Sequence, residues 1–152
     1  MLAQWRSRIH EHKDLYARAV LAFIVNECGQ LCFLRRAAHK EYAPNQWALV
    51  GGLVQSGESY EQAAIREIAE EVNIIVSPGS IRLLGHVTPS DYPGKFFKGM
   101  YEIKVADGAV PYNPDDFSQL QWLTPGQLQA LAHANTDSLV HDLLFLVERY
   151  YL

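Results

Sequence analysis

Residues 51–74 read GGLVQSGESYEQAAIREIAEEVNI, which is a pair of glycines, a short loop and then a helical pattern. Ser59 and Gln62 have the spacing of a capping box, so we expect the helix to begin at about Tyr60. Within the helix, apolar residues recur at intervals of three and four and predict one stripe that packs against a core, made of Ala64, Ile65, Ile68 and Val72. The segment therefore predicts a loop and an amphipathic helix directly after a glycine turn.

Three glutamates, Glu67, Glu70 and Glu71, have helical spacings that bring their carboxylates together on the side opposite the apolar stripe. Like charges at these spacings each cost a few tenths of a kcal/mol on an isolated helix, so the cluster needs an explanation. Arg66 reaches Glu70 at i+4 and offsets part of the repulsion, and a divalent cation offsets more. Mg²⁺ prefers hard oxygen ligands and is usually held by one or two carboxylates together with substrate phosphates. Taken alone, the helix is better explained by a solvated acidic face with an intrahelical ion pair, because runs of surface charge are common.

The residues before the helix extend this pattern into a longer motif of fixed spacing. The chain resembles the Nudix hydrolase family, whose box is G-x5-E-x7-R-E-U-x-E-E-x-G-U with U a bulky aliphatic residue, and it matches at Gly52, Glu58, Arg66, Glu67, Ile68, Glu70, Glu71 and Ile74. Asn73 stands where the box has its last glycine. That position follows the helix end in a left-handed conformation, for which Asn is the next best residue, so we expect the helix to end normally at Asn73.

The resemblance implies a fold, a reaction and a metal. The fold is an α/β class, Nudix-type α/β/α sandwich around a mixed sheet, and the reaction is hydrolysis of a phosphoanhydride in a nucleoside diphosphate linked to another moiety, such as an NTP or a nucleotide sugar. The cofactor is Mg²⁺, with Mn²⁺ as an alternative. By position, the implied metal ligands are Gly52, Glu67, Glu70 and Glu71, and the implied catalytic residues are Arg66, Glu70 and Glu71. Glu70 and Asp91 are the candidates for removing the proton of the attacking water.

A basic stretch follows the second predicted strand and includes Arg36 and Lys40. Together with Pro44 and Trp47 before the glycines, it resembles a branch of the family that includes isopentenyl diphosphate isomerases. Arg36 and Lys40 would then face the diphosphate of the substrate, since a guanidinium and an ammonium both suit phosphate oxygens. A solvated turn at the end of a strand is the alternative.

The loop at residues 88–95 contains a carboxylate, an aromatic ring and a lysine. It and the strand after it supply further candidate substrate contacts: Tyr92 or Phe96 for stacking on a base, and Lys95 or Lys98 for phosphate. The alternative is a hairpin loop whose aromatic rings cover the edge of the core. Asp115 and Asp116 are a further acidic pair before a predicted strand, with a metal or substrate role open to them.

Two other functions stay open at this point. The resemblance implies that an isoprenoid diphosphate isomerase would share the fold and Mg²⁺ and would use a cysteine near residues 47–52 as an acid. That segment contains no cysteine. A catalytically silent nucleotide-sensing domain would keep the fold without turnover, although such a module has no need of three adjacent carboxylates.

The composition indicates one domain over residues 1–152, large enough to bury a core. A formal net charge of -4 makes extended nucleic-acid binding unexpected, so the partner is a small-molecule diphosphate drawn in by local cations. Cys28 and Cys32 do not form a disulfide framework, and no apolar run is long enough to span a membrane. We therefore expect a soluble cytoplasmic protein, with residues 1–14 forming a short helix or an arm and with a homodimer as one option.

The remaining patterns predict the other elements. Strands are expected at about residues 15–25, 31–34, 82–87, 96–105 and 120–123. Thr124 and Pro125 predict a helix through about Leu131. Residues 137–150 carry a broad apolar face and predict a third helix at the end of the chain.

Overall fold

The computed structural model describes residues 17–106 and 108–152, so the predicted helix or arm at residues 1–14 lies outside the described residues. Its strands and helices, in chain order, are β1 (Ala17–Val25), β2 (Leu31–Arg36), β3 (Trp47–Ala48), β4 (Val50–Leu53), α1 (Tyr60–Val72), β5 (Ile81–Val87), β6 (Phe96–Lys104), β7 (Phe117–Leu123), α2 (Pro125–Ala134) and α3 (Leu143–Tyr151). Short 3₁₀ turns lie at Pro78–Ser80 and Thr136–Ser138.

The strands form one mixed sheet with β1 at its centre. The path is β3-β2-β1-β6-β5, while β4 also pairs with β1 and β7 also pairs with β2. β1 and β6 are parallel over nine residue pairs, from Ala17 opposite Phe96 to Val25 opposite Lys104, and the other pairings are antiparallel. The mixed sheet predicted from the sequence is confirmed.

Helices cover both faces of the sheet because β1 and β2 are apolar on both sides. In β1, Val20, Ala22 and Ile24 join the core beneath α1, while Phe23 between them belongs to the core beneath α2 and α3. Successive side chains of a strand point to opposite faces, so the two cores share the same strands. The α/β/α sandwich is therefore confirmed.

The caps of α1 agree with the prediction. The Ser59 side chain accepts a hydrogen bond from the Gln62 backbone, and the Gln62 side chain accepts one from Ser59 N. Asn73 ends the helix with φ 56° and ψ 33°, and its side-chain amide donates a 2.7 Å hydrogen bond to the Pro111 carbonyl. The side chain thus gains a contact that a glycine would lack.

The C-terminal segment differs from the prediction. Only Leu143–Tyr151 of the apolar face at 137–150 is α-helical. Leu139 is extended and forms an isolated parallel bridge with Trp47, and Val140 N donates a 3.0 Å hydrogen bond to the Trp47 carbonyl. Pairing with β3 therefore replaces a helical turn and delays the helix. Among the described residues, no helix is long and apolar enough to cross a membrane.

Candidate active site

The glycine pair and α1 meet at the side chain of Glu71. Gly51 and Gly52 lie in β4 opposite Leu21 and Val20 of β1. The Gly51 N–H donates a 2.8 Å hydrogen bond to Oε1 of Glu71, which is buried. Burial raises the pKa of the Glu71 carboxyl well above its usual range, the charge of Glu67 raises it further, and the Gly51 hydrogen bond acts in the opposite direction.

Glu67 is the second buried carboxylate of the site. Its Oε1 accepts a 2.9 Å hydrogen bond from Arg66, whereas its Oε2 is buried and has no hydrogen-bond partner among the described residues. Burial raises the pKa of Glu67 to about 7, against the opposing effect of Arg66. A Cβ at Gly52 would lie 2.2 Å from Oε1 of Glu67. Glycine is therefore required for β4 to come this close to the Glu67 carboxylate.

Arg66 holds the loop and the helix together. Its guanidinium donates to both carboxylate oxygens of Glu58, at 2.7 and 2.9 Å, and to the Leu53 carbonyl at 2.9 Å. The i+4 contact with Glu70 exists but is long, at 3.4 Å. The loop residue Glu58 is therefore a stronger partner of Arg66 than Glu70 is. The i+4 spacing along the helix had pointed to Glu70 instead.

The three glutamates do not share one face opposite the apolar stripe, so that expectation is wrong. Glu67 and Glu71 are buried beside the stripe, while the side chain of Glu70 is 54% exposed. At 3.6 residues per turn, Glu67 and Glu71 are separated by about 40° around the helix axis, whereas Glu70 lies about 60° from Glu67 on the other side. The helix thus directs two carboxylates inward and one outward.

A cavity of about 160 Å³ opens in front of Glu71 and the glycine pair. Arg36, Lys40 and Asp116 line it, together with apolar side chains from β1 and α3. Nε of Arg36 donates to the Tyr42 carbonyl at 2.9 Å, and Lys40 forms a 2.7 Å ion pair with Asp116. Of the three clustered glutamates of α1, Glu71 lines this cavity. The two basic residues that the sequence suggested as phosphate contacts line it too, although the net charge of the chain is negative.

The loop at residues 88–95 contributes less to this cavity than the sequence suggested. Phe96 lines the cavity, but Tyr92 and Lys95 do not. Tyr92 lines a separate groove, where its ring packs on Phe145 at 4.8 Å and its hydroxyl donates to the His141 carbonyl at 2.9 Å. Its role here is that of an aromatic side chain covering the core edge, the alternative considered from the sequence.

Asp91 also lies outside the cavity lining. Its carboxylate accepts hydrogen bonds from the Thr88 N–H and hydroxyl at 2.8 and 3.0 Å, and it pairs with Arg149 at 3.4 Å. These hydrogen bonds, the Thr88 backbone bond first, hold the pKa of Asp91 below its usual value. Its contacts are those of a loop-capping residue.

Lys98 and Asp142 form a second charged pair in the cavity. Lys98 was one of two lysines suggested as phosphate contacts, whereas Asp142 was missed. The signal was available, because Asp142 interrupts the apolar run LVHDLLFLV at residues 139–147. A single acid in such a run either faces solvent or is held by a cation, and here it is buried and paired.

The donor set fits a hard divalent cation. The buried, partnerless Oε2 of Glu67 is the kind of oxygen that a cation would satisfy, and Glu71 supplies a second buried carboxylate nearby. Within residues 17–106 and 108–152, no three acidic, His or Cys side chains converge to hold a metal by themselves. Two carboxylates are sufficient for Mg²⁺, which completes its coordination with water and substrate phosphates.

Comparisons with known proteins agree with this geometry. The profile of the NUDIX domain family matches residues 15–143. An uncharacterised Nudix hydrolase of a Nostoc species is 36% identical over 96% of this chain and 86% of its own length. A Nudix hydrolase of Deinococcus radiodurans is 40% identical over 88% of this chain and 78% of its own length.

A crystal structure from the same Deinococcus species gives the corresponding structural match. It is 38% identical to this chain, superposes with a TM-score of 0.82, and the match covers 91% of this chain and 87% of the other. The family match, these relatives and the two inward-facing glutamates beside a glycine strand lead to one conclusion. The chain belongs to the Nudix family and is a hydrolase acting on the pyrophosphate bond.

Proposed function

We propose that this chain is a Mg²⁺-dependent hydrolase that cleaves a phosphoanhydride bond in a nucleoside diphosphate linked to another moiety, such as an NTP or a nucleotide sugar. The observation that carries the proposal is the pair of buried carboxylates, one with a partnerless oxygen, beside a cavity lined by two basic side chains. A phosphate chain needs cations on its oxygens and a positioned water for this reaction, and the site has residues for both tasks.

Glu67, Glu71 and the Gly52 carbonyl are the groups that would hold the cation. Glu70, whose side chain is exposed, stays a prediction as a further ligand. When bound, the cation supplies charge neutralisation on the phosphate oxygens and acidity to a bound water. Arg66 keeps Glu67 oriented through its 2.9 Å hydrogen bond, and its fork on Glu58 fixes the loop beneath it. Glu70 is the carboxylate we assign to accept the proton of the attacking water, because it is exposed next to Glu67 and shares Arg66 with it. Asp91 has weaker support for that role, because its carboxylate is bound to Thr88 and Arg149 rather than to a residue of the glutamate cluster.

Arg36 and Lys40 bind the phosphates in this proposal. Lys40 is held by Asp116 at 2.7 Å, so a phosphate competes with a carboxylate for the same ammonium. Arg36 lies over the Tyr42 ring with its guanidinium carbon 5.5 Å from the ring centroid, which limits where its planar donors point. Tyr92 and Lys95 stay predictions as substrate contacts, without support from the lining of the cavity.

A nucleotide substrate has independent support in a protein of similar fold. A NUDIX domain from Shewanella oneidensis, 22% identical with a TM-score of 0.60, was crystallised with ADP ribose. ADP ribose is itself a nucleoside diphosphate linked to another moiety. At this identity the comparison supports a shared fold and no more. Which nucleotide is the substrate must be determined by experiment.

We also propose that the protein works in the cytoplasm. Both cysteines are free thiols, Cys28 exposed and Cys32 buried, and burial raises the pKa of Cys32 to about 12. Free thiols are typical of reducing compartments. The homodimer stays a prediction.

The test is release of phosphate and pyrophosphate, with and without Mg²⁺, from nucleoside triphosphates, nucleotide sugars, dinucleotides and isoprenoid diphosphates. We expect turnover of a nucleotide that requires Mg²⁺ and falls more than about 100-fold in Glu71→Gln, since even outer partners of metal ligands are worth 10- to 100-fold. Glu61→Gln is the matched control, because Glu61 is an exposed acid in the first turn of the same helix. Turnover without metal, or an active folded Glu71→Gln variant, would contradict the proposal.

A further inference from the structure

The cavity has a second polar end beyond the phosphate site. Lys98 of β6 and Asp142, the residue before α3, form an ion pair that lines it. Their side chains are only 16% and 12% exposed. The surrounding wall is apolar, with Leu21, Leu49 and Leu146 among its members. An ion pair in such a wall costs desolvation that its own attraction repays incompletely, so a role in stability alone explains it poorly.

The register of the strands gives the distance between the two ends. Leu21 of β1 is opposite Gly51 on one side, and Ala19, two residues earlier on the same face, is opposite Lys98 on the other side. Two strand spacings of about 4.8 Å and two residues at about 3.3 Å each separate the Gly51 and Lys98 backbones by about 12 Å. If the reacting phosphates of a substrate lie beside Gly51, the group that reaches the Lys98–Asp142 ion pair must therefore be a distant part of the same molecule.

The ion pair has unused hydrogen-bonding capacity. The Lys98 ammonium carries three donors, and among the described residues it donates to Oδ2 of Asp142. Oδ1 of Asp142 accepts no hydrogen bond from the side chains that the structure describes. A donor and an acceptor are thus presented side by side, which complements a ligand edge carrying an acceptor next to a donor.

The wall around the pair favours a flat ring over a sugar. A hexose would place several hydroxyls against leucines and leave them without partners, which costs binding energy. The Phe96 side chain is part of the same wall, and aromatic and aliphatic side chains pack well on a planar ring.

We infer that Lys98 and Asp142 are specificity-determining residues that read the hydrogen-bonding edge of the substrate's nucleobase. Lys98 donates to a ring nitrogen or carbonyl oxygen of the base, and Asp142 accepts from the neighbouring amino or imino group. The inference rests on the proposed function, because the phosphates must occupy the glutamate end for the base to reach the pair.

The experiment compares the four nucleoside triphosphates and their diphosphates as substrates of the wild type, Asp142→Asn and Lys98→Met. We expect the wild type to discriminate between its best and worst base at least about tenfold, as expected for one good base contact. Both variants should lose roughly tenfold or more of kcat/KM on the preferred base, chiefly through KM, and should reorder the bases. Inhibition by methylenediphosphonate, which has no base, should change less than about twofold.

Glu102→Gln is the matched control. Glu102 is a buried carboxylate paired with Arg82 and hydrogen-bonded to Tyr151, and it does not line the cavity. Neutralising it should lower the melting temperature without changing the order of the bases. An unchanged order in folded Asp142→Asn and Lys98→Met, or a wild type that does not discriminate, overturns the inference alone. Absence of nucleotide turnover in the wild type with Mg²⁺ overturns the proposed function itself.

Discussion

Oε1 of Glu71 accepts a 2.8 Å hydrogen bond from the backbone N–H of Gly51, so α1 is joined to β4 where the two glycines begin. The adjacent Gly52 approaches Glu67 so closely that no Cβ fits between them. The two inward carboxylates are therefore positioned by a strand backbone, which is a more rigid support than a side chain.

The two glycines should respond differently to alanine. A Cβ at Gly52 meets the Glu67 carboxylate at 2.2 Å, and the end of a flexible side chain can move. A Cβ at Gly51 meets the Val20 carbonyl oxygen at 2.3 Å, which belongs to the backbone. We expect Gly52→Ala to fold with turnover reduced at least about tenfold, since a ligand is displaced, and Gly51→Ala to lose mainly stability. Thermal melts and kcat/KM measured together separate the two, and equal losses in both would contradict the assignment.

The stability of the metal-free protein should depend on pH through Glu67. Its pKa is about 7 in the folded protein, against 4.5 for an unperturbed glutamate. Between these pH values the unfolded chain has released the proton that the folded protein keeps. Because the unfolded state then binds fewer protons, the free energy of unfolding falls as pH rises from about 4.5 to about 7.

Melting temperatures in EDTA across this range test that prediction. Glu67→Gln should reduce the decline because an amide does not titrate, and the remaining decline comes from Glu71, whose pKa burial also raises. Glu61→Gln should keep the wild-type slope. A folded Glu67→Gln variant with the full wild-type slope would contradict the assignment of the decline to Glu67.

Removing Arg66 should affect both stability and the pH dependence of turnover. Arg66→Met removes one donor from each carboxylate oxygen of Glu58 and one from the Leu53 carbonyl, at a cost on the order of 1–3 kcal/mol. It also removes the charge that lowers the pKa of Glu67, so the acid limb of the kcat/KM profile should move to higher pH. Arg66→Lys keeps the charge but not the fork, and we expect a smaller shift with a similar loss of stability. An acid limb at the wild-type pH in both variants would show that Glu67 does not control it.

The left-handed end of α1 predicts a ranking at Asn73. Glycine relieves the strain of φ 56° but loses the 2.7 Å hydrogen bond to Pro111, so Asn73→Gly should be within about 0.5 kcal/mol of the wild type. Asn73→Ala loses the hydrogen bond and keeps the strain, and should cost about 1 kcal/mol. Denaturant unfolding gives both values. A variant with alanine as stable as one with glycine would remove the conformational explanation.

The parts that local chemistry controls could be predicted from the sequence. The first and last turns of α1 follow from Ser59, Gln62 and Asn73, because capping and left-handed preferences act over a few residues. The nearly continuous apolar run in β1 likewise predicts a strand buried on both faces.

The parts that depend on distant pairings could not be predicted. The fork of Arg66 on Glu58 requires the loop to fold back over eight residues, so counting i+4 neighbours selected Glu70 instead. The inward rotation of Glu67 and Glu71 depends on which side of α1 faces β4. The pairing of Lys98 with Asp142 joins residues 44 positions apart, and it follows from the extended segment beside Trp47.

The position of β1 between β4 and β6 has a consequence for how substrates of this architecture vary. The backbone pairing of three strands sets the spacing between Gly51, beside the proposed cation site, and Lys98, in the proposed recognition pair. Residues outside the strands and helices, such as Lys40 and Asp142, add chemical groups to the two ends but do not set that spacing. Relatives that keep this strand register and differ in their loops are therefore expected to accept molecules of equal length and different chemical character.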